Sequence, residues 1–191
     1  MGRWEPNARG RLAQAALTLY AEQGFEKTTA AEIAARAGLT ERTFFRHFAD
    51  KREVLFAGTE MAHDLLARTV AEAPPGTPPV DVVTSALEAF AAVLQENPER
   101  VRLREAIVSA NPDLRERELT KLAALVTTMA DALRARGVPD LTASLTAETG
   151  IAVFKVAYAH WTTTASPSDL RATLRDSLRH LRTALAAQAP A

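Results

Sequence analysis

The chain has 191 residues, 47% of them hydrophobic and 24% charged, with 23 Lys or Arg balancing 23 Asp or Glu. That length carries one or two domains with a proper core, and the neutral balance argues against a generally basic nucleic-acid coat. There is no Cys, which excludes disulfides, thiolate metal sites and a cysteine nucleophile and suits a reducing cytosol.

The start, Met1–Leu12, is polar and charged rather than basic then apolar, so no signal peptide is expected. The most apolar run, Ile151–Trp161, is short and contains Lys155. We therefore expect no membrane span and a cytoplasmic protein.

Only eight Gly stand against many Ala, Leu, Glu and Arg, a composition that loses little rotamer freedom in helices. The first helix is predicted from about Pro6 to Gln23, stopped by Gly24. A second opens at Thr29, with Glu32 placed to complete a capping box, and ends at Gly38. A third is short, from Thr40 to about Phe48. Lys51 then opens a fourth, running to about Ala73. The segment Ala73–Pro79 holds four prolines and cannot be helix interior. A further helix begins at Val80, and Asn97-Pro98, Asn111-Pro112 and Ser166-Pro167 each read as a cap followed by proline at the first helical position. Gly137 and Pro139 mark a stop. Leucine strides of three and four define the helix after Pro112 and the last helix, Leu170 to Leu185. No strand-like alternation stands out. The fold class is all-α, with about nine helices.

Residues 29–48 carry the strongest signal. Ile33, Ala34 and Ala37 give one helix a close-packing face, Gly38 permits a left-handed turn, Leu39 plugs the corner, and Phe44 and Phe48 enter the same core. That is the arithmetic of a helix-turn-helix. With Phe44 and Phe48 inward, Arg42, Phe45 and Arg46 share the outward face and Thr43 borders it. Arginine can fork onto guanine O6 and N7, and threonine can meet a thymine methyl or a phosphate. Thr28, Thr29 and Thr40, at helix starts, suit phosphate oxygens, as does Lys51 from the other side, while His47 sits beside them. Locally, Arg36, Arg42, Arg46, Lys51 and Arg52 face only Glu41 and Asp50, and a local cationic patch is what duplex binding needs. The alternating charges of Arg100, Arg102, Arg104, Arg115 and Arg117 with Glu99, Glu105, Glu116 and Glu118 read instead as a solvated helix face.

Gly24-Phe25, Thr28-Thr29, Ile33-Ala34, Ala37-Gly38-Leu39-Thr40, Thr43-Phe44-Phe45, His47-Phe48 and Lys51 together resemble the head of the TetR/AcrR family of regulators, in register across residues 9–56. The resemblance implies an N-terminal three-helix DNA-binding domain, residues 1–56, and a helical ligand-binding and dimerisation domain, residues 57–191. It further implies a homodimer, a palindromic double-stranded operator and a small-molecule inducer. Two residues depart from the pattern: Phe45 where the family usually has Tyr, and Arg42 where a small residue is common. They bear on the operator sequence rather than on the binding mode. Asn97-Pro98, Asn111-Pro112-Asp113-Leu114 and Trp161 are similar to one C-terminal subtype of the family.

In the body, Ile151, Phe154, Tyr158 and Trp161 form one stripe of a helix whose other faces are also apolar or small, so several sides must be covered. A body of the family's kind would place it between a pocket and a partner subunit, with Ile151, Lys155, Leu170, Leu174, Leu178 and Leu181 at the dimer interface. Lys155 either pairs across that interface, as Glu148 would, or meets an anionic ligand group. Phe90, Leu103, Ile107, Leu125, Met129, Phe154, Tyr158 and Trp161 are the expected pocket wall. The four histidines, at 47, 63, 160 and 180, are scattered, so neither a metal site nor any other cofactor is expected. No nucleophile elbow, phosphate loop or zinc motif marks an enzyme. The alternative is a helical ligand-binding or interaction protein, or a small all-α enzyme, that keeps the helix-turn-helix as scaffold.

Overall fold

Helix punctuation in the sequence translates into helix ends. In the computed structural model, which describes residues 7–164 and 169–186, α1 spans Ala8–Gln23, with the Asn7 side chain accepting from Gly10 N and Gly24 at φ +89° ending it. Helix α2 is Ala30–Arg36. Thr29 Oγ1 accepts from Glu32 N at 3.2 Å while Glu32 Oε2 accepts from Thr29 N at 2.8 Å, so two otherwise orphaned donors are satisfied. Gly38 takes φ +67°, and α3, Glu41–His47, starts on the Thr40 hydroxyl. The later helices are α4 Thr59–Glu72, α5 Pro79–Gln95, α6 Pro98–Ala110, α7 Pro112–Ala135, α8 Asp140–Thr163 and α9 Leu170–Ala186. Among the described residues there are nine α-helices and no strand, in agreement with the all-α expectation.

Four helix starts differ from the sequence reading or escape it. The expected fourth helix does not start at Lys51. Asp50 Oδ1 accepts from Arg52 N at 2.7 Å and Glu53 N at 3.0 Å, which nucleates a 3-10 turn over Glu53–Phe56. Gly58, a poor helix former, then separates that turn from α4. At α7 the Asn111 amide turns backward to the Ile107 carbonyl, 2.6 Å, rather than capping forward. Pro6 and the Ser166-Pro167 start lie outside the described residues.

The chain divides into two compact units. The first comprises residues 1–60 and 102–118; its core gathers Leu12, Ala16, Ile33, Phe44, Phe48 and Phe56 with Ile107, Val108 and Leu114. Residues 102–118, which the sequence reading assigned to the body, thus pack with the helix-turn-helix. The second unit, residues 61–101 and 119–191, centres on Leu66, Leu87, Met129, Leu133, Phe154, Trp161, Leu170 and Leu174. Among the described residues no helix is long and apolar enough to cross a membrane, and no three His, Cys, Asp or Glu side chains converge to hold a metal ion.

Candidate nucleic-acid interface

Helix α3 has only seven residues, so tertiary contacts rather than propensity must hold it. Phe44 is fully buried and Phe48 nearly so, their rings 5.7 Å apart. Burial of two such side chains contributes about 3–6 kcal/mol of gross stabilisation and fixes which face of α3 looks outward. From α1, Arg9 donates to the carbonyls of His47 and Ala57, and its guanidinium lies 4.9 Å from the centre of the Phe48 ring. Arg11 likewise donates to the carbonyl of Ala37, beside the Gly38 turn. The sequence reading had singled out neither arginine. Their only advance signal was position, at the polar edge of an otherwise apolar α1.

The outward face carries Arg42, Phe45 and Arg46, all exposed, with Thr43 half-buried beside them; the four line an open hollow of about 470 Å³. Phe45 is 53% exposed, its ring edge-on to Phe44 at 5.3 Å, so its orientation is set from below. The Arg42 and Arg46 guanidinium groups make no hydrogen bond or ion pair with any described residue. Two like charges at i, i+4 cost a helix a few tenths of a kcal/mol. A cationic pair left in that arrangement around an exposed aromatic is a surface suited to a polyanion.

The rest of the expected cationic patch is otherwise engaged. Arg36 forks onto Glu22 at 2.8 and 3.2 Å, holding that carboxylate below its usual pKa and raising the guanidinium's own. Arg52 pairs with Asp113 at 3.0 Å. Lys51 is a correction to the sequence reading. Its ammonium donates to the carbonyls of Phe25, Glu26 and Thr28 at 2.9, 3.1 and 3.0 Å and sits 4.5 Å from the Phe25 ring centre. All three donors are spent on the α1–α2 loop, leaving none for a phosphate. Thr28 is a second correction: it is buried and its hydroxyl donates to the Gly24 carbonyl at 2.8 Å. His47 is a third, because its Nε2 is buried, with no hydrogen-bond partner among the described residues. Thr29 and Thr40 are exposed, but their hydroxyls serve as caps, Thr40 also meeting Thr43 Oγ1 at 3.0 Å.

Behind α3, Tyr20 donates to the Lys51 carbonyl at 2.6 Å; burial, and then the charge of Asp50, push its phenol well above the ordinary tyrosine pKa. It therefore stays a donor. Of the charges on α6 and α7 read as a solvated face, Glu99, Arg100, Arg115 and Glu116 are exposed as expected, but Arg104, Arg117 and Glu118 are a correction. Arg104 and Glu118 are half-buried and paired at 2.7 Å, and Arg117 reaches Glu53 at 2.6 Å and Asp50 at 3.1 Å. Read along the string they alternate; read around the helix, Arg117 and Glu118 follow the buried Leu114 by three and four residues.

A family model described as bacterial regulatory proteins, tetR family, matches residues 12–57, and one described as the MftR C-terminal domain matches residues 77–186, more than half of the chain. The chain belongs to the tetR family of bacterial regulatory proteins. The HTH-type transcriptional regulator TcmR of Streptomyces glaucescens is 35% identical over 81 residues, 42% of this chain and 36% of that protein, so the match spans little more than a third of the relative. FadR of Thermus thermophilus, a TetR-family repressor solved with lauroyl-CoA, superimposes with a TM-score of 0.58 at 25% identity, covering 91% of this chain and 93% of FadR. SmeT, repressor of the Stenotrophomonas maltophilia efflux pump SmeDEF, superimposes at 0.62 and 22% identity over 92% and 89% of the two chains, a likeness of fold.

In this tetR-family chain the expected pocket wall is divided. Leu103 and Ile107 belong to the first unit, Leu103 partly exposed and Ile107 in its core. Phe90, Leu125, Met129, Phe154, Tyr158 and Trp161 belong to the second. There the rings of Phe90, Phe154, Tyr158 and Trp161 follow one another at 5.5, 5.9 and 6.3 Å. A small apolar hollow of about 30 Å³ lies elsewhere, between α5, α8 and α9, against Val83, Thr146, Gly150 and Leu174.

The expected dimer residues are also redistributed. Ile151, Leu170 and Leu174 are buried in the chain's own core, and Leu178 and Leu181 pack against it, because the leucine stripe of α9 lies on α5 and α8 of the same chain. Arg175 and Arg171 reach Glu88, and Arg182 reaches Asp81, fastening α9 to α5. Lys155 is exposed. What α8 leaves uncovered is a different stripe: Leu141 at 71% exposure, Leu145 at 58% and Val156 at 65%, with Ala152 between them.

Proposed function

We propose that the chain is a ligand-responsive transcriptional regulator, a repressor in the first instance, that binds a palindromic DNA operator as a homodimer in the cytoplasm. Residues 1–56 read DNA, and residues 57–191 bind a small-molecule inducer and dimerise, with 102–118 packed on the former. The observation that carries the reading is the pair Arg42 and Arg46, without a partner among the described residues, flanking exposed Phe45 on the second helix of a helix-turn-helix. Such a helix enters the major groove, where Arg42 and Arg46 fork onto guanines or clamp phosphates and the Phe45 ring meets a thymine methyl. The small-molecule part is supported by relatives: FadR was solved with lauroyl-CoA and SmeT with triclosan. The aromatic series Phe90–Phe154–Tyr158–Trp161 is suited to an apolar portion of such a ligand, and we read the chain as binding its ligand without turning it over.

The test is selection of bound sequences from a random duplex pool at near-physiological salt, with Arg42→Ala in parallel. We expect the native chain to enrich a palindrome and the variant to lose it or relax one position in each half-site. Enrichment by neither protein would overturn sequence-specific binding and favour the helix-turn-helix as scaffold for an interaction module.

A further inference from the structure

We propose that Phe45 is a specificity-determining residue that reads the C5-methyl group of a pyrimidine, next to a guanine forked by Arg42. The inference rests on the DNA-binding reading above and names what the outward face of α3 selects in the duplex. An exposed aromatic side chain is by itself ordinary. Phe45 differs because it is 53% exposed and yet held: the fully buried Phe44 ring meets it edge-on at 5.3 Å, with 84° between the ring planes. That contact anchors the ring from below and leaves it lining the hollow with Arg42, Thr43 and Arg46.

The polar inventory of the hollow decides what it recognises. Arg42 and Arg46 bring donors and no acceptor. The Thr43 hydroxyl lies 3.0 Å from Thr40 Oγ1, which also accepts from Thr43 N at 3.2 Å. With its oxygen engaged at the cap, Thr43 chiefly adds its methyl group. Phe45 has no hydroxyl, so it neither donates to a phosphate nor accepts from a base. Glu41, the one carboxylate of α3, does not line the hollow. Guanidinium donors thus surround an apolar ring, with no carboxylate or amide to accept from an adenine or cytosine amino group.

In the major groove a donor fork matches O6 and N7 of guanine, and the apolar group on offer is the methyl at C5 of thymine. Residues at i and i+3 of a helix stand about 5–6 Å apart at Cβ, and the nucleotides of one strand follow one another at about 3.4 Å along the duplex axis. Arg42 and Phe45 are such a pair, so the fork and the ring address neighbouring base pairs. 5-Methylcytosine carries the same methyl at the same place. Thymine and 5-methylcytosine therefore both present the group that Phe45 meets, and uracil and unmodified cytosine do not.

The test alters single methyl groups in the duplex selected by the native chain and leaves every base pair in place. In one series each thymine is replaced in turn by uracil, in the other each cytosine by 5-methylcytosine, at matched positions of both half-sites. Affinities are read by fluorescence anisotropy. We expect one position, adjoining a guanine, where losing the methyl weakens binding or gaining it strengthens binding. The change is about fourfold for one half-site and about fifteenfold for both. A response in the uracil series identifies thymine as the source of the methyl, and one in the other series 5-methylcytosine. Phe45→Ala should bind both members of that pair of duplexes equally. If Phe45→Ala binds no duplex, Phe45→Leu, with its smaller apolar side chain, must show a smaller ratio than the native chain or the proposal fails. Indifference of the native chain to every methyl, or an undiminished ratio in Phe45→Ala, overturns the proposal and leaves the DNA-binding reading standing. Failure to select any duplex removes that reading and the proposal with it.

Discussion

At the scale of residues, the lysine and the two arginines near α3 carry the same charge but have different tasks. Arg42 and Arg46 have no partner among the described residues, whereas Lys51 satisfies three carbonyls of the loop that sets the α2 N-terminus. Salt dependence separates these roles, because only a residue that neutralises a phosphate releases a counterion, about 0.9 per contact on duplex DNA. Lys51→Met should weaken DNA binding roughly tenfold, about 1.4 kcal/mol, at every salt concentration, through loss of the loop's anchor. The slope of log affinity against log salt should stay as in the native chain. Arg46→Ala, if Arg46 clamps a phosphate, lowers that slope by about one; if it reads a base, the slope holds and one operator position relaxes. Fluorescence anisotropy titrations at four or five salt concentrations read both. A slope lowered by Lys51→Met would mean that the ammonium leaves the loop for the DNA.

At the scale of elements, α5 and α8 of the second unit approach closely at Gly150. A Cβ on Gly150 would lie 2.4 Å from Val83 Cγ1, and Val83 is 2% exposed and β-branched, with little freedom to retreat. Gly150→Ala gains up to about 1 kcal/mol of helix propensity and loses about 1–3 kcal/mol to overpacking, so net destabilisation is expected. In a Val83→Ala background the clash is gone, and the same substitution should turn neutral or stabilising. Denaturant unfolding of the four proteins in that cycle checks it; additive effects would show that α5 and α8 do not meet at Gly150. The sequence carried little sign of this, since a glycine inside a helical pattern does not say what it faces. Caps and turn glycines were legible because they act locally: Thr29 with Glu32, Thr40 and Gly38 each declare a geometry within four residues. The inward Phe44 and Phe48 and outward Arg42, Phe45 and Arg46 followed from the same short-range periodicity. Lys51, Arg104 and Arg117 were misassigned because their partners lie far away in the chain; Thr28 was misassigned although its partner, the Gly24 carbonyl, is only four residues back, because a threonine beside a helix start reads as a cap before its burial is known. A charged side chain reads as solvated until the residue opposite it is known. The leucines of α9 failed likewise: a stripe announces that it is covered, not whether by its own chain or another.

At the scale of the whole molecule, the uncovered stripe of α8 is what a second copy would cover. Leu141, Leu145, Ala152 and Val156 recur at steps of four and seven and keep one face for about 22 Å of helix. In a two-fold dimer the same patch meets itself. If two α8 helices cross antiparallel near Ala152, whose small side chain permits close approach, Glu148 of each copy faces Lys155 of the other, since the two lie nearly equidistant from that point. Burial of Leu145 and Val156 contributes about 1.5–3 kcal/mol for each side chain fully covered, and a two-fold axis doubles it. Leu145→Arg or Val156→Arg should therefore yield monomers at micromolar concentration in sedimentation velocity, with helicity unchanged. Glu148→Lys should weaken the dimer and the double exchange Glu148→Lys with Lys155→Glu should restore it. The monomeric variants keep α3 intact but can no longer hold two copies of it about 34–36 Å apart. They should bind an isolated half-site as the native chain does and lose the added affinity of the palindrome. Val156→Arg chains that remain dimeric would place the interface on a different face of the molecule.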